Sequence, residues 1–184
     1  MSSPAQHDYF AEFFAHYPDF HYMPTASITD EFYRLCDQKG WDREDPERAD
    51  AKELFNDALV QTFNTIYGTD EKDIVSWQSL CAILRIVPIP QDLEACVEVV
   101  RNTHVNLVDL VDHRGQSVHI FSTLQDLQKY TRAGKYFPKE NAYAGGLLKY
   151  LLREINGEYH GSKTGQRRKG RGMRRKGRRG GVAV

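Results

Sequence analysis

The apolar pattern that follows Asp45 constrains the fold more than any other feature of the sequence. Asp45 is a good N-cap, and Pro46 suits the first helical position because its missing N–H would have no helical partner there. Apolar residues then recur every three to four positions as far as Gly68: Ala51, Leu54, Phe55, Ala58, Leu59, Phe63 and Ile66. The pattern predicts a helix of about six turns, around which the rest of the domain should pack.

The same spacing predicts further helices on both sides of this spine. One precedes Pro18, a second ends at Gly40, and others begin after Asp73 and near Leu93. Short connections between such helices are typical of a helical bundle. We therefore predict a mostly α fold.

Two more helices are expected towards the C-terminus. Ser122 and Gln125 fit a capping box at the start of one helix. The last apolar face lies within residues 144–155, where Gly145 and Gly146 indicate either a helix start or the close approach of a neighbouring element.

Residues 104–121 allow two interpretations. Read as a helix, they continue the apolar stripe of the helix before them. Read as strands, residues 105–112 and 118–121 are β-branched runs on either side of a glycine-containing loop. We favour a small β-hairpin, which makes the class α+β, because apolar and polar residues alternate around His119.

An aromatic segment occupies residues 17–24. Its two prolines favour an extended conformation outside any strand ladder. Because buried aromatic rings contribute most to stability, we expect this segment to pack across the core. An exposed segment would instead indicate a docking surface for a protein partner.

The sequence changes character after Glu158, its last acidic residue. The following stretch of Gly, Arg and Lys cannot bury enough apolar surface to fold. We therefore expect one helical domain over residues 1–158 and a disordered tail over residues 159–184. Residues 1–160 hold all 25 acidic groups and 15 of the 25 basic ones, so they carry −10 and the remainder carries +10.

The basic residues of the tail are the candidate binding site: Lys163, Arg167, Arg168, Lys169, Arg171, Arg174, Arg175, Lys176, Arg178 and Arg179. Such residues neutralise phosphates and release counterions with little sequence choice. We predict that the tail contacts nucleic acid, RNA or DNA, and that the helical domain contacts a protein partner.

Three other interpretations of the tail remain open. Its clusters 167–169 and 174–176 are typical of a nuclear localisation signal, in which case the domain alone is the interaction module. The tail could also bind an anionic membrane surface, or be a solvated segment without a binding role that rests partly on its own acidic domain.

Seven histidines prompt a search for a metal or catalytic site. The densest group is His104, Asp109, Asp112, His113 and His119, but strand alternation would place its members on opposite faces. No spacing resembles a helical zinc pair, a phosphate-binding glycine loop or a nucleophile elbow. We expect no cofactor, no metal and no catalytic residue; an enzyme or metal site within residues 104–119 is kept as an alternative.

The cysteines and the N-terminus indicate the compartment. Cys36, Cys81 and Cys96 are too few and too scattered for a disulfide framework. No apolar leader and no membrane-spanning run is present in the sequence. We expect buried thiols in an intracellular protein, nuclear or cytoplasmic.

Several stretches together resemble a group of small fungal proteins. They are YPDFHYMP at residues 17–24, LC at 35–36 with GW at 40–41, FNTIYG at 63–68, THVNLVDL at 103–110, YFP at 136–138 and LLKYLLR at 147–153. The resemblance covers residues 9–156 and omits the tail. It implies one compact domain and no particular activity.

Overall fold

The computed structural model of the protein describes residues 7–113, 116–138 and 146–152. This part of the chain is mostly helical with one two-stranded antiparallel sheet, so the predicted fold class is confirmed. The helices are α1 (Tyr9–Ala15), α2 (Ile28–Lys39), α3 (Pro46–Tyr67), α4 (Ile74–Ile83), α5 (Leu93–Arg101), α6 (Leu107–Asp112), α7 (Leu124–Arg132) and α8 (Leu148–Leu151). The strands are β1 (His104–Val105) and β2 (Ile120–Phe121).

Helix α3 is the spine that the sequence predicts. The Asp45 carboxylate accepts a hydrogen bond from the Glu47 N–H at 2.8 Å, and Gly68 ends the helix with a φ of 85°. Helices α1, α4 and α6 all pack against it. Its side chains Leu59 and Phe63 are fully buried at the centre of the core.

Carboxylate caps start three of the other helices. Asp8, Asp73 and Asp92 each accept hydrogen bonds from N–H groups in the first turn of α1, α4 and α5. Helix α2 ends at Gly40, whose φ of 69° is left-handed, as its position after the last apolar residue predicts.

The capping box predicted at Ser122 is wrong by one residue. Thr123 is the N-cap of α7: its hydroxyl accepts from the Asp126 N–H at 3.1 Å and donates to the Asp126 carboxylate at 2.7 Å. Asp126 therefore takes the role that was assigned to Gln125. Leu127 and Thr131 lie on the buried side of this helix.

The hairpin predicted over residues 104–121 is confirmed only for the two residue pairs farthest from its loop. His104 pairs with Phe121 and Val105 with Ile120, but residues 107–112 form helix α6 instead of continuing the first strand. Asn106 starts α6, since its side-chain oxygen accepts from the N–H groups of Val108 and Asp109 at 2.9 and 3.2 Å. Residues 107–111 are all buried, so this short helix shows a run that is apolar except at Asp109, without the spacing of an amphipathic helix. Such a run cannot be distinguished from a buried strand by periodicity, and this is why a strand was predicted.

The aromatic segment 17–24 packs on the core, as predicted. Phe20 is buried and stacks on Phe14 at 5.1 Å, and Tyr22 stacks on the same ring at 4.5 Å. Tyr17 lies edge-on to Trp41 at 5.8 Å. These contacts use the ring faces that an exposed segment would have offered to a partner.

Gly146 lies against the loop that follows α3. A Cβ atom at this position would lie 2.2 Å from the Thr69 carbonyl oxygen, and the φ of Gly146 is 43°. Of the two explanations for this glycine, the structure supports a close approach, although the neighbour is a loop and not a helix or strand. Within the described residues the last helix spans only Leu148–Leu151, and the other residues predicted for it lie outside them.

The three cysteines are buried, as predicted. None of the described helices is both long and apolar enough to cross a membrane.

Candidate functional site

The ten basic residues predicted to contact nucleic acid, Lys163 to Arg179, lie outside the described residues, as does the whole predicted tail over 159–184. The structure therefore bears on function through the acidic domain that carries this tail. Its polar clusters and its grooves are the places where a ligand or partner could bind.

Asp109 is the centre of a buried polar network. Its carboxylate accepts from the Lys135 ammonium at 2.8 Å and from the Tyr130 hydroxyl at 3.1 Å, and its side chain is almost fully buried. Burial opposes the charge on Lys135, but the hydrogen bonds to Asp109 and Tyr130 outweigh burial and raise the pKa of Lys135. The network joins α6 to α7 and to the loop after it.

Asp112 joins α6 to α2. Its carboxylate accepts from the Ile28 N–H at 2.9 Å and from the Ser27 hydroxyl at 3.1 Å, so it caps α2 in place of a local side chain. Burial raises the pKa of Asp112, although both hydrogen bonds oppose this shift. Asp112, the second acid of the candidate cluster, therefore has a structural role as the cap of α2.

The three histidines of the candidate cluster point elsewhere. His104 is half-buried in β1, whereas His113 and His119 are exposed. The His113 Nδ1 lies 2.7 Å from the Asp109 carbonyl oxygen, and the His119 ring lies edge-on to Phe121 at 4.5 Å. Among the described residues, no three His, Cys, Asp or Glu side chains are placed to hold a metal ion.

Glu31 is a buried charge that the sequence analysis missed. It is 2% exposed, pairs with the Arg34 guanidinium, and accepts from the Met23 N–H at 2.8 Å. Burial raises its pKa, but the hydrogen bonds from Arg34 and Met23 outweigh burial and lower it. Arg34 also donates to the His21 carbonyl and lies 4.1 Å from the centre of the Phe20 ring, so this pair fastens the aromatic segment.

A cleft and a groove among the described residues offer room for a partner. A cleft of about 770 Å³ lies beside α5 and is lined by Glu94 and Glu98, but also by Lys72 and Arg101. A groove of about 180 Å³ lies between α1 and α3, and the described residues that line it are acidic, polar and apolar and include no Lys or Arg. The second depression, which we call the α1–α3 groove, is the better match for a cationic partner.

No protein-family model, no curated protein and no solved structure matches this chain. The resemblance to small fungal proteins therefore stays a prediction.

Proposed function

We propose that this is a non-catalytic intracellular protein that contacts nucleic acid through its basic tail and a protein partner through its helical domain. The observation that carries the proposal is the separation of charge: all ten basic residues after Gly161 lie in a segment without a single acid. The segment has no aromatic residue to stack on bases, so its contacts are directed to phosphates and read no sequence.

The charge of the domain supports assigning the nucleic-acid contact to the tail. Residues 1–160 carry a net charge of −10, which repels phosphates. Bound single strands should therefore follow the tail and avoid the domain. Six to ten engaged charges would give log K a slope against log salt of about −4 to −7 on a single strand, and up to about −9 on duplex DNA.

The test measures binding of a fluorescent uridine 20-mer across a salt series. The full chain is compared with a variant in which Arg167, Arg168 and Lys169 are replaced by Gln. We expect weaker binding at low salt and a slope that is shallower by about 2, because each lost phosphate contact removes about 0.7.

The matched control replaces three exposed basic residues of the domain, Arg43, Arg101 and Lys129, by Gln. This control removes the same charge and should leave the slope unchanged. Equal losses in the two variants would refute an assignment to the tail, and no binding by the unaltered chain would refute the proposal itself.

Nuclear localisation is a second candidate, favoured by the paired clusters 167–169 and 174–176. A fluorescent fusion of the full chain should be enriched in the nucleus, and replacing both clusters by Gln should abolish the enrichment. An unchanged distribution would remove this candidate without affecting the binding result.

The protein partner is proposed from the remaining exposed apolar residues, since the aromatic segment 17–24 is packed. Val87 is 88% exposed in the loop between α4 and α5, and Val75 on α4 is 63% exposed. Affinity purification after nuclease treatment separates protein partners from proteins bridged by nucleic acid. A partner that is retained by the full chain and lost from Val87→Asp would support a contact at this loop; equal retention would exclude the loop.

A further inference from the structure

The α1–α3 groove combines an apolar floor with an acidic rim. Phe13 and Ala58 form part of the floor beside Leu54, which is 47% exposed despite its position within an apolar stripe. Glu12 of α1 and Asp57 of α3 line the same groove from its two sides. A partner suited to it would carry an apolar side chain between positive charges.

The acidic character extends along α3 beyond the groove. Glu47, Asp50, Leu54 and Asp57 follow each other at intervals of three to four residues, so they share one exposed face of the helix. The basic residue Lys52 lies on another side, where its ammonium faces the rings of Phe32 and Phe55 at 4.8 and 4.7 Å. The ammonium of Lys52 is thus held against these rings.

The tail carries the complementary pattern. Met173 is the only apolar residue within 161–180, and it lies between the basic clusters 167–169 and 174–176. Methionine is flexible and fills irregular apolar gaps. We propose that residues 167–176 dock in the α1–α3 groove, with Met173 over Leu54 and the basic clusters beside Glu12 and Asp57.

The chain between the domain and Met173 is long enough for this contact. Twenty residues, 153–172, separate Met173 from Leu152, where the described structure ends. An unfolded chain of this length has an end-to-end distance of about 25 Å and spans at most about 70 Å, which exceeds the diameter expected for a domain of this size. Because the tail is tethered, its effective concentration at the groove is in the millimolar range, and a weak contact is sufficient.

The α1–α3 groove is preferred to the larger cleft because of its charge. Glu94 and Glu98 in the cleft are accompanied by Lys72 and Arg101, and Lys149 pairs with Glu71 at its edge. These cations would repel the clusters of the tail. Among the described residues, two histidines are the basic side chains at the groove: His16 in its lining, and His7, whose Nε2 lies 2.8 Å from the Glu12 carboxylate.

Docking has a consequence that rests on the proposed function. A phosphate backbone and the acidic groove would compete for the same basic clusters, so the free domain would weaken nucleic-acid binding by its own tail. The docking itself needs no nucleic acid, and it is measured without it.

The test is zero-length carbodiimide crosslinking of the full chain at low salt, followed by mass spectrometry. We expect Lys169 and Lys176 to couple to Glu12 and Asp57 in preference to Glu94 and Glu98. Tenfold dilution should leave the yield unchanged, because the contact lies within one chain. A yield that falls on dilution would identify a second copy as the occupant, and an even spread over all exposed acids would show no docking; either result overturns the proposal.

Matched variants locate the contact. Leu54→Lys should lower the yield at Glu12 and Asp57 about fivefold, whereas Val75→Lys, which adds the same charge at another exposed apolar site, should change it less than about twofold. Met173→Ser in the tail should also lower the yield and cannot disturb the fold of the groove. Unchanged yields in both Leu54→Lys and Met173→Ser would refute the contact.

The competition is tested with the uridine 20-mer. Leu54→Lys should bind the probe about threefold more tightly than Val75→Lys, because only the first substitution releases the tail. If the probe does not bind any variant, the proposed function fails while the crosslinking result still decides the docking. If both variants bind equally although Leu54→Lys has lost its crosslinks, the tail docks without regulating binding.

Discussion

Two regions hold helix α2 in place by opposite chemistry. On one side, the rings of Phe13, Phe32 and Phe55 form an aromatic cluster with centroid distances of 4.6 to 6.3 Å. On the other side, Asp112 caps the first turn of α2 and belongs to the same helix as the buried Asp109. The first region depends on apolar burial and the second on matched charges and hydrogen bonds.

A lysine in each region shows what this difference means. Burial against the aromatic cluster lowers the pKa of Lys52 to about 8. The pKa of Lys135 is raised, because hydrogen bonds to Asp109 and Tyr130 outweigh the effect of burial. A buried lysine therefore lowers stability in one region and is required for it in the other. Three substitutions test this contrast, and a fourth lies outside both regions.

The largest effect is expected from Phe55→Ala. Phe55 is 1% exposed and contacts three other rings, so its truncation should lower the free energy of unfolding by about 4 kcal/mol. Chemical denaturation followed by circular dichroism measures the change. The neighbouring Leu54→Ala is the control and should cost less than about 1 kcal/mol because this side chain is already half in water; equal losses would mean that the cluster is not the core of this region.

In the polar region, Lys135→Met should lower the free energy of unfolding by about 3 kcal/mol at pH 7, because it leaves the Asp109 carboxylate buried without its cation. The raised pKa of Lys135 means that its contribution is complete below the unfolded pKa of about 10.4 and is lost as the pH rises through the folded value. The difference between the two proteins should therefore be constant from pH 7 to 10. Lys129→Met, on the exposed face of α7, should be neutral. A stabilising effect of Lys135→Met would remove the contrast with the aromatic region.

A substitution outside both regions provides a steric effect with which the other losses of stability can be compared. Gly146→Ala would place a Cβ 2.2 Å from the Thr69 carbonyl oxygen at a positive φ, so we expect a loss of about 2 kcal/mol or more. Gly40→Ala has a similar φ but no neighbour within 4 Å, and should cost only about 1 kcal/mol. Thermal unfolding of the two variants separates steric overlap from backbone strain, and equal midpoints would argue against the close approach.

The smallest expected effect is a gain in stability. Lys52→Met should raise the free energy of unfolding at pH 7 by about 1 kcal/mol, because it removes a cation that burial disfavours while the ring contacts offset part of that cost. Since the folded pKa lies below the unfolded one, the unaltered protein gains stability as the pH rises from about 8 to 10.4, and the advantage of the variant should shrink over that range. Denaturation of both proteins at pH 7 and 10 measures this. A destabilising Lys52→Met at pH 7 would show that the cation–ring contacts dominate.

The aromatic region could be predicted from the sequence and the polar region could not. The stripe of α3 and the phenylalanines of α1 recur at helical spacing, and Asp45 and Gly68 mark the ends of the spine. The partners of Asp109 are 21 and 26 residues away, and no local pattern links them. For the same reason the sequence grouped Asp109 and Asp112 with histidines that the structure directs elsewhere.

The proposed docking site also combines features that the sequence predicts with features that it does not. The basic clusters of the tail and Met173 between them are visible in the sequence alone, as is the opposite charge of the domain. The α1–α3 groove is not, because Leu54 belongs to the apolar stripe of α3 and would be counted as core. Only the placement of α1 beside α3 leaves it half exposed between Glu12 and Asp57.

By itself, the sequence of this protein determined the helical class, most helix boundaries and the division into an acidic and a basic part. These features depend on residues within one or two turns of each other, or on composition. The tertiary structure decided that residues 107–112 form a buried helix, that Asp112 caps α2, and which apolar side chain remains at the surface. Each of these depends on which elements meet in space, and distant contacts leave no periodic pattern in the sequence.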